Sequence, residues 1–210
     1  MARPKSFDED TVLDAATECF RRQGLNAASI RDLAEEMGIA GPSLYNAFGC
    51  KRALFIQALE RYANCGMRSR FAELERRGPK AAILAFVAEF VQRALGGAGE
   101  GRCLLVNTAM EVDPEDAELA ARVADYLGEI ETFLRRNLAA ARVTGEIPSD
   151  LDPEETAGML LALLLGVSVL ARLRPDAARL DSIVPPMLAL LEHDQQPGSR
   201  SPAKTKAHTK

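Results

Sequence analysis

Ser43 and Asn46 lie three residues apart in the segment GPSLYNAF, with Ala47 beside them, a spacing that sets a hydroxyl, a carboxamide and a methyl on one helix face. The chemistry open to this set is recognition by hydrogen bonding. A carboxamide donates and accepts at once, which matches the edge of an adenine and discriminates it by roughly 1–3 kcal/mol. The Ala47 methyl could touch only the methyl of a thymine. Leu44 and Phe48, four apart, point the opposite way and give this helix a core to rest on.

Such a face is useful only if the helix is held out from its support, and the stretch SIRDLAEEMGIAGPSLYNAFGCK at 29–51 provides the means. Ile30, Leu33, Ala34 and Met37 fall three and four apart and line one face of a preceding helix. Ser29, with Asp32 three residues on, is the start signal of a capping box, with Asp in place of the usual Glu. Gly38 can take the positive φ that ends this helix, because it has no Cβ to clash. Gly41-Pro42 restarts the chain, since proline at the first helical position loses no bond and arrives with φ already set. Two short helices about a tight turn make a helix-turn-helix, whose second helix enters the DNA major groove.

The flanks extend the pattern. Val12, Leu13, Ala16, Cys19 and Phe20 form an apolar stripe stopped by Gly24, and a helix from Lys51 carries Leu54, Phe55, Ala58, Leu59 and Tyr62 on one face. With these in view the chain closely resembles the N-terminal domain of the TetR/AcrR family of bacterial transcriptional regulators. The likeness rests on Ala15-Ala16, Phe20, Gly24, Ser29, Ile30, Ala34, Gly38, Leu44-Tyr45, Phe48, Lys51 and Leu54-Phe55, and covers roughly the first quarter in detail. It implies that Tyr45 and Lys51 contact backbone phosphates, that Ser29 anchors its helix to the backbone, and that Arg31 reaches a base or a phosphate. The alternative for Tyr45 is packing beside Leu44. Two departures stand out: Ala40-Gly41-Pro42 where the family often has a hydroxyl cap and a nearby cation, and Cys50 where a serine commonly caps the next helix, a thiol being a weak acceptor.

Bulk properties pull the other way. The 210-residue chain has a formal net charge of −4, and residues 1–55 hold seven Lys or Arg against eight Asp or Glu. Its binding of a double-stranded DNA operator must therefore rest on a few placed groups rather than on bulk attraction. The opening MARPKSFDED has no apolar leader segment. The longest apolar run, 157–171, is shorter than a spanning helix needs, so no membrane role is expected. Cys19, Cys50, Cys65 and Cys103 show no CxxC or metal-type spacing, which fits a reducing cytoplasm, and no metal or cofactor is expected.

Periodicity predicts helices near 8–23, 29–37, 41–48, 51–74, 80–95, 102–110, 115–142, 153–173 and 176–193, and no strand signal appears. The class is all-α with about nine helices. A helix-turn-helix domain at 1–50 precedes a larger effector-binding and dimerisation bundle at 51–193, and a polar tail expected to be disordered fills 194–210. Gly96, Gly97, Gly99 and Gly101 read as a linker, having no lysine–hydroxyl pair and no preceding strand to make a phosphate loop. Residues 157–171 are apolar almost all round and must be covered on every side. The resemblance implies a homodimer through the helices near 153–173 and 176–193, with Gly158, Ala162 and Gly166 letting a partner helix approach; packing within the chain is the alternative.

Cys103, in GRCLLVNTAME, is expected in the first turn of a helix, where the helix dipole and Arg102 favour the thiolate. The segment also resembles a TetR/AcrR subgroup whose Gly-Cys-Leu element opens the same helix, implying a thiol that senses electrophiles or oxidants, although Arg102 interrupts the pair here. The alternative is a buried, inert thiol. An effector pocket is expected among Phe86, Phe90, Met110, Tyr126, Phe133 and Met159, mostly aliphatic in character, for an unidentified small molecule.

The function these features indicate is a homodimeric repressor, released from a near-palindromic operator by a small effector or by modification of Cys103. The alternative is an all-α dimeric ligand-binding or interaction module without DNA binding. An enzyme is disfavoured: the sequence has no HExxH, no nucleophile elbow, and only two histidines, both near its end.

Overall fold

A computed structural model describes residues 8–96, 103–113, 115–173 and 177–192. Among them the secondary structure is helical: α1 Glu9–Gln23, α2 Ile30–Met37, α3 Gly41–Phe48, α4 Lys51–Arg61, α5 Ser69–Glu75, α6 Pro79–Leu95, α7 Leu104–Glu111, α8 Ala117–Val143, α9 Pro153–Leu173 and α10 Ala177–Ala189. Gly97, Gly99, Gly101, Arg102, His193 and the tail at 194–210 lie outside the described residues.

The expected single helix over 51–74 is a continuous rod with a change of pitch inside it. Between α4 and α5 the residues Tyr62–Arg68 form a π-helical turn, whose flanking backbone stays right-handed helical at Arg61 and Ser69. A π turn takes up an extra residue and rotates every side chain beyond it, and such turns recur at functional sites.

The head is built from α1 to α4. Leu54, Phe55, Ala58 and Leu59 of α4 are buried, and Phe55 meets Phe20 of α1 edge-on with ring centroids 4.9 Å apart. The boundary expected at residue 50 therefore cuts through a core: the first half of the rod packs with the head, and the second half belongs to the bundle. There Phe71 stacks on Phe133 at 4.2 Å, with Phe86 tilted against Phe133 at 5.3 Å. Truncating a ring of this kind to alanine typically costs about 3–5 kcal/mol.

The rod also meets α8 through a ladder of ion pairs. Arg52 bonds Asp116 and Glu118, Glu60 bonds Arg122, Arg68 bonds Glu129, and Glu75 bonds Arg136. The sign on the rod alternates from rung to rung, so a slide by one rung would set like charges face to face.

Helix α9 buries Ala157, Leu160, Leu164, Val167 and Ala171 and leaves Met159, Ala162, Leu163 and Gly166 exposed. At 21 residues it is long and apolar enough to cross a membrane by length and composition, more than the sequence reading allowed; in this fold it packs on α6 and α8. Gly158 differs from expectation. A Cβ there would meet the Glu131 carboxylate at 3.2 Å, so it faces α8, and only Ala162 and Gly166 of the three small residues lie open.

Candidate nucleic-acid interface and effector cavity

The start of α2 is fixed by a reciprocal cap. The Ser29 hydroxyl oxygen accepts from Asp32 N at 3.1 Å while Ser29 N donates to the Asp32 carboxylate at 3.2 Å. The Ser29 hydroxyl also donates to the Asp32 carboxylate at 2.6 Å, and this bond, with that from Ser29 N, holds the Asp32 carboxyl below the usual range. Gly38 closes α2 in the left-handed region, with φ 64°. Helix α3 starts without a side-chain cap at Ala40 and relies on Pro42 in its first turn. Leu44 and Phe48 are buried, while Asn46 is exposed and Ser43 and Ala47 are half-exposed. Tyr45 is 51% exposed, so its ring stands out beside Asn46 and is available to a ligand rather than packed. Arg31 is exposed on α2.

Lys51 is half-buried and engaged. Its ammonium donates to the carbonyls of Ala28 at 2.9 Å and Asn26 at 3.4 Å, tying the rod to the loop before α2. Cys50 does cap α4, its sulfur accepting from Ala53 N at 3.4 Å. Ser29 and Arg31 at α2, Ser43, Tyr45 and Asn46 in α3, and Lys51 at the start of α4 thus all belong to the head.

In the bundle a cavity of about 150 Å³ opens between the rod, α6, α7 and α8. Phe86 and Phe90 line it, together with Tyr62, Phe71, Leu105 and Ile130, and with Gly66 and Met67 of the π turn. Phe133 stacks behind Phe71 and Phe86 as backing to the wall. The remaining expected pocket residues stand elsewhere. Met110 is 50% exposed on α7 and Met159 is 41% exposed on α9, because each faces away from its helix's buried side. Tyr126 is half-buried with the Arg68 guanidinium 5.9 Å over its ring. The wall is aromatic more than aliphatic, owing to Tyr62, expected only as part of the apolar face of its helix, and to Phe71, which is not among the expected pocket residues.

Cys103 stands at the cavity wall, half-buried, as the N-cap of α7 rather than within its first turn. Its carbonyl accepts the first helical bond, from Asn107 N at 3.0 Å, and its sulfur accepts the Tyr62 hydroxyl at 3.7 Å. Burial next to this thiol pushes the Tyr62 phenol well up, so it stays a protonated donor. Cys19 is fully buried and its thiol is pushed up, while Cys50 and Cys65 are exposed. Asn107, one turn beyond Cys103, is buried and donates to the Arg21 carbonyl of α1 at 3.3 Å. Helix α7 therefore touches both the cavity and the head.

A family model described as bacterial regulatory proteins, tetR family, matches residues 12–58, and one described as tetracyclin repressor-like, C-terminal domain, matches 79–185. The uncharacterized HTH-type transcriptional regulator YezE of Bacillus subtilis (strain 168) is 31% identical over 194 residues, spanning 91% of this chain and 100% of YezE. The HTH-type transcriptional repressor ComR of Escherichia coli (strain K12) is 29% identical over 172 residues, 81% of this chain and 82% of ComR. Among solved structures, a cysteine-substituted TetR family transcriptional regulator, CifR, complexed with 26-base-pair operator DNA superposes with a TM-score of 0.78 at 31% identity, covering 91% of this chain and 100% of that one. The head, the bundle and their order along the chain agree with these matches: the chain belongs to the TetR family of bacterial regulatory proteins.

Proposed function

We propose that this regulator is a cytoplasmic homodimeric repressor whose α3 helices enter successive major grooves of a near-palindromic operator. The observation that carries the reading is the exposed Tyr45 and Asn46 pair beside Ser43 on a helix held from behind by Leu44 and Phe48. CifR, alike over nearly the whole chain, is seen on operator DNA with the same fold. Ser43 and Asn46 read bases, Tyr45 and Lys51 hold phosphates, and Ser29 and Arg31 fix the first helix to the backbone. Half-sites of such a dimer sit about 34 Å apart or at a multiple of it. The apolar outer face of α9, with Met159 and Leu163 exposed beside Ala162 and Gly166, and Leu190 exposed just past the end of α10, supply the surface for the second subunit. No catalytic role is proposed.

Release follows from a ligand in the cavity or from modification of Cys103, whichever binds the DNA-incompetent state better. The test is a gel shift on the DNA upstream of the gene, with and without N-ethylmaleimide, in a Cys50→Ser/Cys65→Ser background that removes the two exposed thiols. Loss of the shift on alkylation, restored by Cys103→Ser, supports thiol gating. A shift indifferent to the reagent leaves release to a non-covalent ligand. Absence of any specific shift, on that DNA or on a randomised operator library, refutes the repressor and favours a module without DNA binding, a reading that the uncapped α3 and the engaged Lys51 ammonium keep in play.

A further inference from the structure

We infer that the cavity selects a small neutral molecule, a ring or short chain bearing one carbonyl-type oxygen, and that Tyr62 supplies the hydrogen bond that recognises this oxygen. The inference rests on the proposal that the bundle binds an effector. Size sets the first bound: about 150 Å³ is the room in which an apolar protein cavity takes up a benzene-sized guest. The walls set the second. Phe71, Phe86, Phe90 and Leu105 offer no hydrogen bond, so most of the guest must be hydrocarbon.

Charge is balanced at the mouth. Arg70 is held by both oxygens of Glu89 and by Glu73, and Arg93 Nε donates to the Glu89 carbonyl at 3.2 Å. Among the described residues Arg93 makes no bond to a carboxylate but acts on the Glu89 carboxyl through space, so the two guanidiniums are matched by the two carboxylates of Glu73 and Glu89, which leaves little net positive field to offset the lost hydration of an anionic guest. A neutral guest meets no such cost.

Among the uncharged side chains that line the cavity, the Tyr62 hydroxyl is the strong hydrogen-bond donor. Its neighbour is sulfur at 3.7 Å, a weak acceptor, and burial keeps the phenol protonated. A carbonyl oxygen is the better partner and would replace the sulfur, with the oxygen-to-oxygen distance near the usual 2.7–2.8 Å. Tyr62 also opens the π turn, and α4 just before it packs on α1 of the head. Moving its hydroxyl from Cys103 to a guest therefore acts at the joint between the cavity and the DNA-reading head.

The test is an NMR titration of the full-length protein carrying ¹³C-methyl methionine, in which Met67 reports on the cavity and the exposed Met110 and Met159 serve as controls. The probes are cyclohexanone, methylcyclohexane and cyclohexanecarboxylate. Cyclohexanone is expected to shift Met67 and to bind about tenfold tighter than methylcyclohexane, the worth of one buried hydrogen bond. Tyr62→Phe should erase that gap and leave methylcyclohexane unchanged. Cys103→Ala removes the competing acceptor and any addition to the thiol, and should keep or widen the gap.

Preference for the carboxylate would overturn the neutral class. A gap surviving Tyr62→Phe, or lost in Cys103→Ala, would overturn the role of Tyr62. No movement of Met67 with any probe would overturn the site. Each outcome is independent of the operator gel shift without ligand, whose failure would instead sink the repressor reading.

Discussion

Glu60 on the rod accepts Arg122 of α8 at 2.7 Å, and this rung has the opposite polarity to its neighbours, where Arg52 and Arg68 are the rod's cations. Both partners are more than a third exposed, so the pair itself is worth little, about 0.2–1 kcal/mol. Its weight lies in register. Glu60→Arg should destabilise by about 1 kcal/mol, because a guanidinium then faces Arg122, and the swapped double variant Glu60→Arg/Arg122→Glu should recover most of it. Urea denaturation of the cycle at low and high salt measures this, and a loss unaffected by 1 M salt would show that packing, not charge, is responsible.

Lys51 stands between two roles. Its ammonium holds the Ala28 and Asn26 carbonyls in the DNA-free head, at the edge where the operator backbone would run. Lys51→Ala should weaken operator binding and lower the salt slope by about one unit, as expected for one phosphate contact. Asn46→Ala should instead flatten the preference among operator variants while leaving the slope unchanged. Fluorescence anisotropy across a salt series separates the two; an unchanged slope for Lys51→Ala would mean that it only braces the loop.

The local features of the fold were legible because they are local. Ser29 to Gly38 encodes a cap, a stripe and a stop within ten residues, and each takes its expected place. What escaped the sequence is held by distance. The π turn at YANCGMR has no periodic signature, since Tyr62 simply continues the stripe of Leu54, Phe55, Ala58 and Leu59. Its hydroxyl finds Cys103 across 41 residues of sequence, and the ladder pairs residues 61 to 66 apart. Apolarity also misled: Met159 lies on a helix greasy on all sides, where periodicity cannot say which face is inside.

Acid should weaken the ladder at its first rung. The Arg52 guanidinium, with the Leu119 amide, holds the Asp116 carboxyl at about 2 against an ordinary 3.8. A carboxyl depressed on folding contributes stability that is fully present above the ordinary value and is lost as pH falls through the folded one. The stability difference between the natural chain and Asp116→Asn should therefore be constant above pH 4 and shrink between pH 4 and pH 2. Paired urea titrations read this directly, and a difference that grows on acidification would contradict the assignment.

Gly24 and Glu111 carry the last expectation, at a junction of head and bundle. Gly24 ends α1 with φ 85°, and a Cβ there would lie 2.4 Å from the Glu111 carboxylate, which itself pairs with Arg172 of α9 at 3.6 Å. Gly24→Ala therefore adds two separable costs: an extended backbone at positive φ, worth roughly 1–3 kcal/mol for a residue with a Cβ, and displacement of Glu111 from Arg172. Adding Glu111→Ala should relieve the collision and leave the backbone strain, giving a favourable coupling of about 0.5–1 kcal/mol in a double-mutant cycle. Because the carboxylate sits at the end of α7, whose other end is Cys103, Gly24→Ala should also shift operator affinity by more than its stability loss explains. Thermal melts and operator titrations of the same four proteins test both claims, and strict additivity would show that the two residues do not push on each other.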